Sequence, residues 1–194
     1  KPLYDGRTAV ATAVPAGSGL DLRLESDGVE CATGHATLGA KLAPPALDSY
    51  PLATPPAERP AASETSLAKG TPLGIAPNRM TNDVATAYLG DIKERHAGYA
   101  REGLVHPGLL LRLMNLSLRE NVVVSPWIHA GSKVRNFATA RVGDEMTVRA
   151  RIVDNYERKG HRLVDIDGIV VAHGRTVVAH VLHHGVWRLR QLAA

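Results

Sequence analysis

The hydrophobic and polar positions of this 194-residue chain change period along its length. Residues 20–26 alternate, with Leu20, Leu22 and Leu24 on one face, as a half-buried strand does. Residues 7–14 alternate more loosely, and 29–38 return as a strand beyond the turn signal Asp27-Gly28. The pattern predicts a β-meander over residues 1–38, with no helix of its own. A short meander cannot bury both of its faces alone.

From 39 to 77 the periodicity stops. Pro44, Pro45, Pro51, Pro55, Pro56, Pro60, Pro72 and Pro77 stand among Ala, Ser and Thr, and the stretch reads as a partly extended linker. Residues 81–99 then read as one or two short helical pieces. Thr81 or Asn82 can cap, Val84, Tyr88 and Ile92 recur every four residues, and Gly90 is a possible break. Residues 107–120, PGLLLRLMNLSLRE, predict a helix with Pro107 at its first position. Its leucines cover most of the circumference, which predicts a buried helix.

Beyond this helix the pattern is nearly all strand. Residues 128–140, 145–155, 162–172 and 176–188 are the predicted strands. Val142-Gly143-Asp144, the polar loop 156–161 and His173-Gly174 join them. The economical packing is an α+β domain over 78–194, a long antiparallel sheet wrapped around one buried helix.

Composition narrows the function classes. With 44% hydrophobic and 22% charged residues, the chain reads as an ordinary globular protein. No run approaches the ~20 apolar residues that span a bilayer, so no membrane role is expected. The net charge of +4 is mild and aromatic residues are few; stacking platforms for nucleic acid are poorly supplied, and no nucleic-acid partner is expected. The single Cys31 excludes an internal disulfide framework and leaves a reducing compartment, the cytoplasm, as the simplest setting.

Candidate chemistry gathers just ahead of the 107–120 helix. Asp91 and His96, five positions apart, can together hold and deprotonate a water molecule, or stand as an ordinary surface pair. His106 either takes part in the reaction or caps the helix. Asn115 either faces a substrate tunnel or joins Arg112 and Arg119 on an exposed stripe. Lys133 and Arg135, with Arg158 and Lys159, are candidates for contact with a carrier phosphate. His180 and His184 share a strand face with His183 opposite, so no metal site is expected and solvated strand histidines are. Asp165 and Asp167 form a carboxylate pair on one strand face.

The residues around the helix resemble the MaoC-like dehydratases and hydratases of the hot-dog superfamily. Those proteins carry T-x-x-D/E-V-x-x-Y/F, then G-D-x-N-P-x-H, then a His-Gly that opens the central helix. This chain shows Thr81-Asn82-Asp83-Val84, Tyr88, Gly90-Asp91, His96 and His106-Pro107-Gly108. Lys93 and Glu94 replace the family's Asn and Pro, and Pro107 follows His106 where the family has Gly. The dehydratase domains of polyketide synthases offer a second resemblance through H-P-x-L-L-D-x-x-x-Q, with Leu111 and Asn115 here at the Asp and Gln positions.

The resemblance implies a hot-dog fold over roughly 80–187, preceded by a partial second hot-dog unit in the N-terminal meander. It implies interconversion of 2-enoyl and 3-hydroxyacyl thioesters of coenzyme A or an acyl carrier protein. No cofactor is implied beyond the coenzyme A or phosphopantetheine that the substrate carries. Asp91 and His96 would activate the water, and the Gly108 N–H would hold the thioester oxygen. Such units pair, so a homodimer or a complex with another hot-dog subunit is expected. The alternative is a non-catalytic acyl-binding or partner subunit of the same fold.

Overall fold

The structure, a computed structural model, describes residues 2–37, 39–40 and 42–190; Leu38, the predicted end of the third strand, lies outside them. The chain divides into two compact units, residues 1–42 and 43–194. The first is the predicted meander, β1 (Ala9–Ala16), β2 (Gly19–Ser26) and β3 (Val29–Thr37), in the order β1-β2-β3. Asp27 and Gly28 both take positive φ, 50° and 72°, as the two central residues of a tight hairpin must. Leu20 and Leu22, on the predicted apolar face, are exposed.

The second unit holds β4 (Pro72–Gly74), β5 (Asn78–Arg79), α1 (Asn82–Asp91), α2 (Gly98–Glu102), α3 (Pro107–Arg119), β6 (Ile128–Asn136), β7 (Glu145–Arg158), β8 (His161–Ala172) and β9 (Thr176–Arg188). Its sheet runs β4-β7-β8-β9-β6, with β5 also on β7. The strands after α3 are therefore not a simple meander. β6 lies beside β9, at the far edge from its successor β7. The stretch between them passes the start of α3, where Val105 N–H donates to Ala140 O and Val142 N–H to Gly103 O, both at 2.9 Å. The polar segment 156–161 is mostly strand; the turn contracts to Lys159 and Gly160, both at positive φ.

The helix-on-sheet core is as the pattern predicts. Met146, Val148, Ala150 and Ile152 of β7 and Val164 and Ile166 of β8 are at most 1% exposed, and they pack with Leu109, Leu110, Leu113, Met114 and Leu118 of α3. Gly168 lets the two layers touch, because a Cβ there would fall 2.8 Å from Met114 Cε. The helix is not buried all round, and of the two alternatives for Asn115 the structure has the stripe. Arg112, Asn115 and Arg119, at spacings of three and four, form one stripe left exposed or half-buried, since long charged side chains keep their heads in water.

Residues 43–77, read as a linker, belong to the second unit. They form a strap over the sheet. Leu67 is fully buried in the main core, while Ala62 N–H donates to Val123 O at 3.0 Å and Val123 N–H to Pro60 O at 2.8 Å. Tyr50 covers Ile169, Val171 and Val177 on the sheet face away from α3. Its hydroxyl donates to Asp167 Oδ1 at 3.0 Å. Asp167 also meets His180 Nε2 at 2.6 Å and Arg151 Nη2 at 3.2 Å. Burial, with Asp167 beside it, pushes the Tyr50 hydroxyl up to about 12. The strand histidines are thus not simply solvated: His180 pairs with Asp167 and His184 with Asp165 at 2.8 Å, while His183 is buried. Acids and histidines on one sheet face satisfy one another where a strap limits access to water.

Candidate active site

The site forms where α1, α2 and the start of α3 meet. Thr81 caps α1 by accepting from Val84 N–H at 3.2 Å. The helix ends with Lys93 at φ 58°, Lys93 N–H on Gly90 O and Glu94 N–H on Leu89 O at 2.9 Å. This left-handed stop is the Schellman arrangement, and it turns Glu94 away from the axis of α1. Glu94 Oε1 accepts from His96 N–H at 2.7 Å. That bond is the main reason the Glu94 carboxyl titrates below the usual carboxylate range; burial opposes it, and the Arg95 N–H and the neighbouring His106 and His96 add to it.

His106 is the N-cap of α3. Its Nδ1 accepts from Gly108 N–H at 3.0 Å, so in the neutral ring the proton belongs on Nε2, a tautomer assigned from the hydrogen bonding. That Nε2 lies 4.0 Å from Glu94 Oε2. Tyr88 and Tyr99 flank the imidazole, with ring centroids at 5.6 and 5.0 Å. Gly108 allows Tyr88 its close approach: a Cβ there would fall 2.2 Å from the Tyr88 hydroxyl oxygen. Beside this group lies a cavity of about 260 Å³, lined by Tyr99, Val105, Pro107, Leu110, Asn136 and Ala138 among others. A carboxylate, an imidazole N–H and a phenol therefore meet at the positive end of a helix, next to a mostly apolar cleft.

The sequence-derived residues fare differently. His106 and Gly108 stand at the centre. Asp91 ends α1, and its Oδ2 lies 4.0 Å from Arg112 Nη1, with the two side chains 69% and 60% exposed. His96 folds over Gly98, whose N–H donates to its Nδ1 at 3.3 Å. Among the described residues no hydrogen bond or ion pair joins Asp91 to His96. Asn115 lies in the exposed stripe, in a groove of about 370 Å³ with Arg112, Arg119 and Trp127. Lys133 and Arg135 pair in register with Leu182 and His180, so they lie on the sheet face away from α3. The Gly108 N–H is engaged by His106. Glu94 is the residue that sequence reasoning misses, because in the sequence it is only a departure from a motif. A His-Pro helix start twelve residues after Glu94 is no signal in sequence without the positive φ at Lys93.

Among the described residues, no group of three or more His, Cys, Asp or Glu side chains gathers as a metal site. Nor is any helix long and apolar enough to cross a membrane.

A long antiparallel sheet around a central helix, in this strand order, is the hot-dog fold, and the second unit has it. No family model matches the sequence, and no curated protein matches it. Solved structures do. The chain is similar to a MaoC-like dehydratase from Rhodospirillum rubrum at 18% identity and TM-score 0.51, over 66% of this chain and 97% of that one. It is similar to an (R)-hydratase from A. caviae at 16% identity and TM-score 0.53, over 62% and 97%. A monoamine oxidase regulatory protein from Archaeoglobus matches at 15% identity and TM-score 0.57, over 69% and 98%. At these identities the likeness establishes the fold.

Proposed function

We propose that this chain interconverts 2-enoyl and 3-hydroxyacyl thioesters, acting as a MaoC-like hydratase or dehydratase on coenzyme A or acyl-carrier-protein substrates. The observation that carries the reading is the Glu94–His106 pair at the tip of α3, with Tyr88 over Gly108 and an apolar cleft alongside. A water hydrogen-bonded to both Glu94 Oε2 and His106 Nε2 would be held by the N–H and deprotonated by the carboxylate as its oxygen adds to C3. Glu94 then returns the proton to C2. The Tyr88 hydroxyl donates to the thioester oxygen as charge builds there, aided by the helix dipole. Dehydration runs the same path backwards. The resemblance gives the water to Asp91 and His96; their exposure and separate partners favour Glu94 and His106 instead.

The partner belongs to the same reading. The outer edge of β6 has no strand beside it among the described residues, and Ile128 and Val134 on it are 48% and 38% exposed. An open edge of this kind favours a second hot-dog subunit, a copy of this chain or another.

A second reading, a non-catalytic acyl-binding subunit, is favoured by one fact. Pro107 has no N–H and the Gly108 N–H is taken by His106, which leaves Tyr88 as the donor for the thioester oxygen. Crotonyl-CoA separates the two readings. Loss of its enoyl absorbance on incubation with the protein is expected. Saturable binding of crotonyl-CoA without absorbance loss would replace the enzymatic reading with the binding one.

A further inference from the structure

A second cluster stands on the edge strand β6, apart from the residues used above. The register between β6 and β9 slips between His129 and Gly131. In a regular strand, positions 129 and 132 point to opposite faces; the extra residue of a bulge turns them to one. His129, Ser132 and, from β9, His183 meet there. Ser132 Oγ lies 2.9 Å from His129 Nε2 and 2.9 Å from His183 Nδ1. The two imidazoles stack, with centroids 4.3 Å apart and planes 14° from parallel.

The two histidines differ in surroundings. His129 is exposed. His183 is 1% exposed, and its Nε2 is buried with no partner. Burial first, then the nearby His129 and His184, depress its pKa to about 4, so at neutral pH the ring holds one proton. A buried N–H without an acceptor is rarer than an unpaired acceptor, which puts that proton on Nδ1, donating to Ser132 Oγ. The Ser132 hydroxyl then donates to His129 Nε2. The serine thus has on one side an acceptor for its proton, the contact that activates a hydroxyl nucleophile, and on the other a donor that fixes its oxygen.

We propose that Ser132 is an acyl-accepting nucleophile, with His129 as its general base and His183 as a positioning residue, and that its substrates are activated acyl esters or thioesters. Ser132 Oγ bonds to the acyl carbon as the carbon–sulfur or carbon–oxygen bond to the leaving group breaks. The hydroxyl proton passes to His129 Nε2 and from there to the leaving thiolate or alkoxide. The products are an ester on Ser132 and the free thiol or alcohol.

The test uses the full chain with p-nitrophenyl acetate. A burst of nitrophenolate of one equivalent per chain is expected, with the acetyl group mapped by peptide mass spectrometry to Ser132. Ser132→Ala abolishes the burst. His129→Gln, at an exposed position that leaves the thermal melt unchanged, slows it on the order of 10²-fold. An acetyl group found elsewhere, no acetylation of the folded parent, or an unchanged burst in His129→Gln overturns the proposal.

Discussion

His183 is the residue whose protonation the fold most strongly opposes. Its pKa of about 4 lies below the ordinary 6.5 because the ring is buried, with His129 and His184 nearby adding to the effect. Between pH 6.5 and 4 the unfolded chain therefore binds a proton that the folded chain does not. Stability from this residue is full above pH 6.5 and falls as pH drops through that window, by about 3 kcal/mol in all. Denaturant titrations at pH 7, 5.5 and 4 should show this loss in the parent and a shallower one in His183→Leu; parallel losses in both would contradict it. The candidate site residues show what sequence can and cannot reveal. His106 and Gly108 were legible because a His-Pro-Gly helix start is a local pattern. Glu94 was not, because its position depends on Lys93 adopting φ 58°, a conformation that lysine does not advertise. Asp91 and His96 were legible as a spacing, but one ends its helix at Arg112 and the other folds over Gly98.

At the scale of elements, α3 and the hairpins β7–β8 and β8–β9 follow from pattern: an apolar face at helical spacing, alternation along the strands, and Gly at the turns. Two features qualify that pattern, and one of them, the packed proline-rich stretch, escaped it. Arg112, Asn115 and Arg119 give α3 the exposed stripe that was one of the two alternatives for Asn115 in the sequence, so the proposed chemistry rests on the helix tip rather than on enclosure of the whole helix. The proline-rich stretch looked like a linker because proline breaks periodicity, yet extended chain packs well when isolated apolar residues fall over pockets. Leu67, with no exposed surface, is such an anchor, and its carbonyl accepts from Asn155 Nδ2 at 3.0 Å. Leu67→Ala should cost about 2–5 kcal/mol in urea unfolding, the range for truncating a core leucine. A cost below about 0.5 kcal/mol, typical of surface sites, would return the segment to the status of a linker.

For the whole molecule, the two units have separate internal contacts, and among the described residues the buried core around α3 begins at Leu67, with Ala62 of the same unit packed against it. The chain 43–194 should therefore fold alone and melt cooperatively, within about 5 °C of the full chain, the shift expected for roughly 1 kcal/mol; a shortened chain without a cooperative transition would show that the meander is integral to the core. The hot-dog architecture places a helix N-terminus at one end of the sheet, and the proposed chemistry depends on which acid and which imidazole stand there. Crotonyl-CoA hydration by four single variants is the most direct test of that assignment. Glu94→Gln and His106→Ala should each lower kcat on the order of 10²-fold or more, while Asp91→Asn and His96→Ala change it less than about threefold. Full activity in Glu94→Gln, with the loss falling on Asp91→Asn and His96→Ala, would contradict the account.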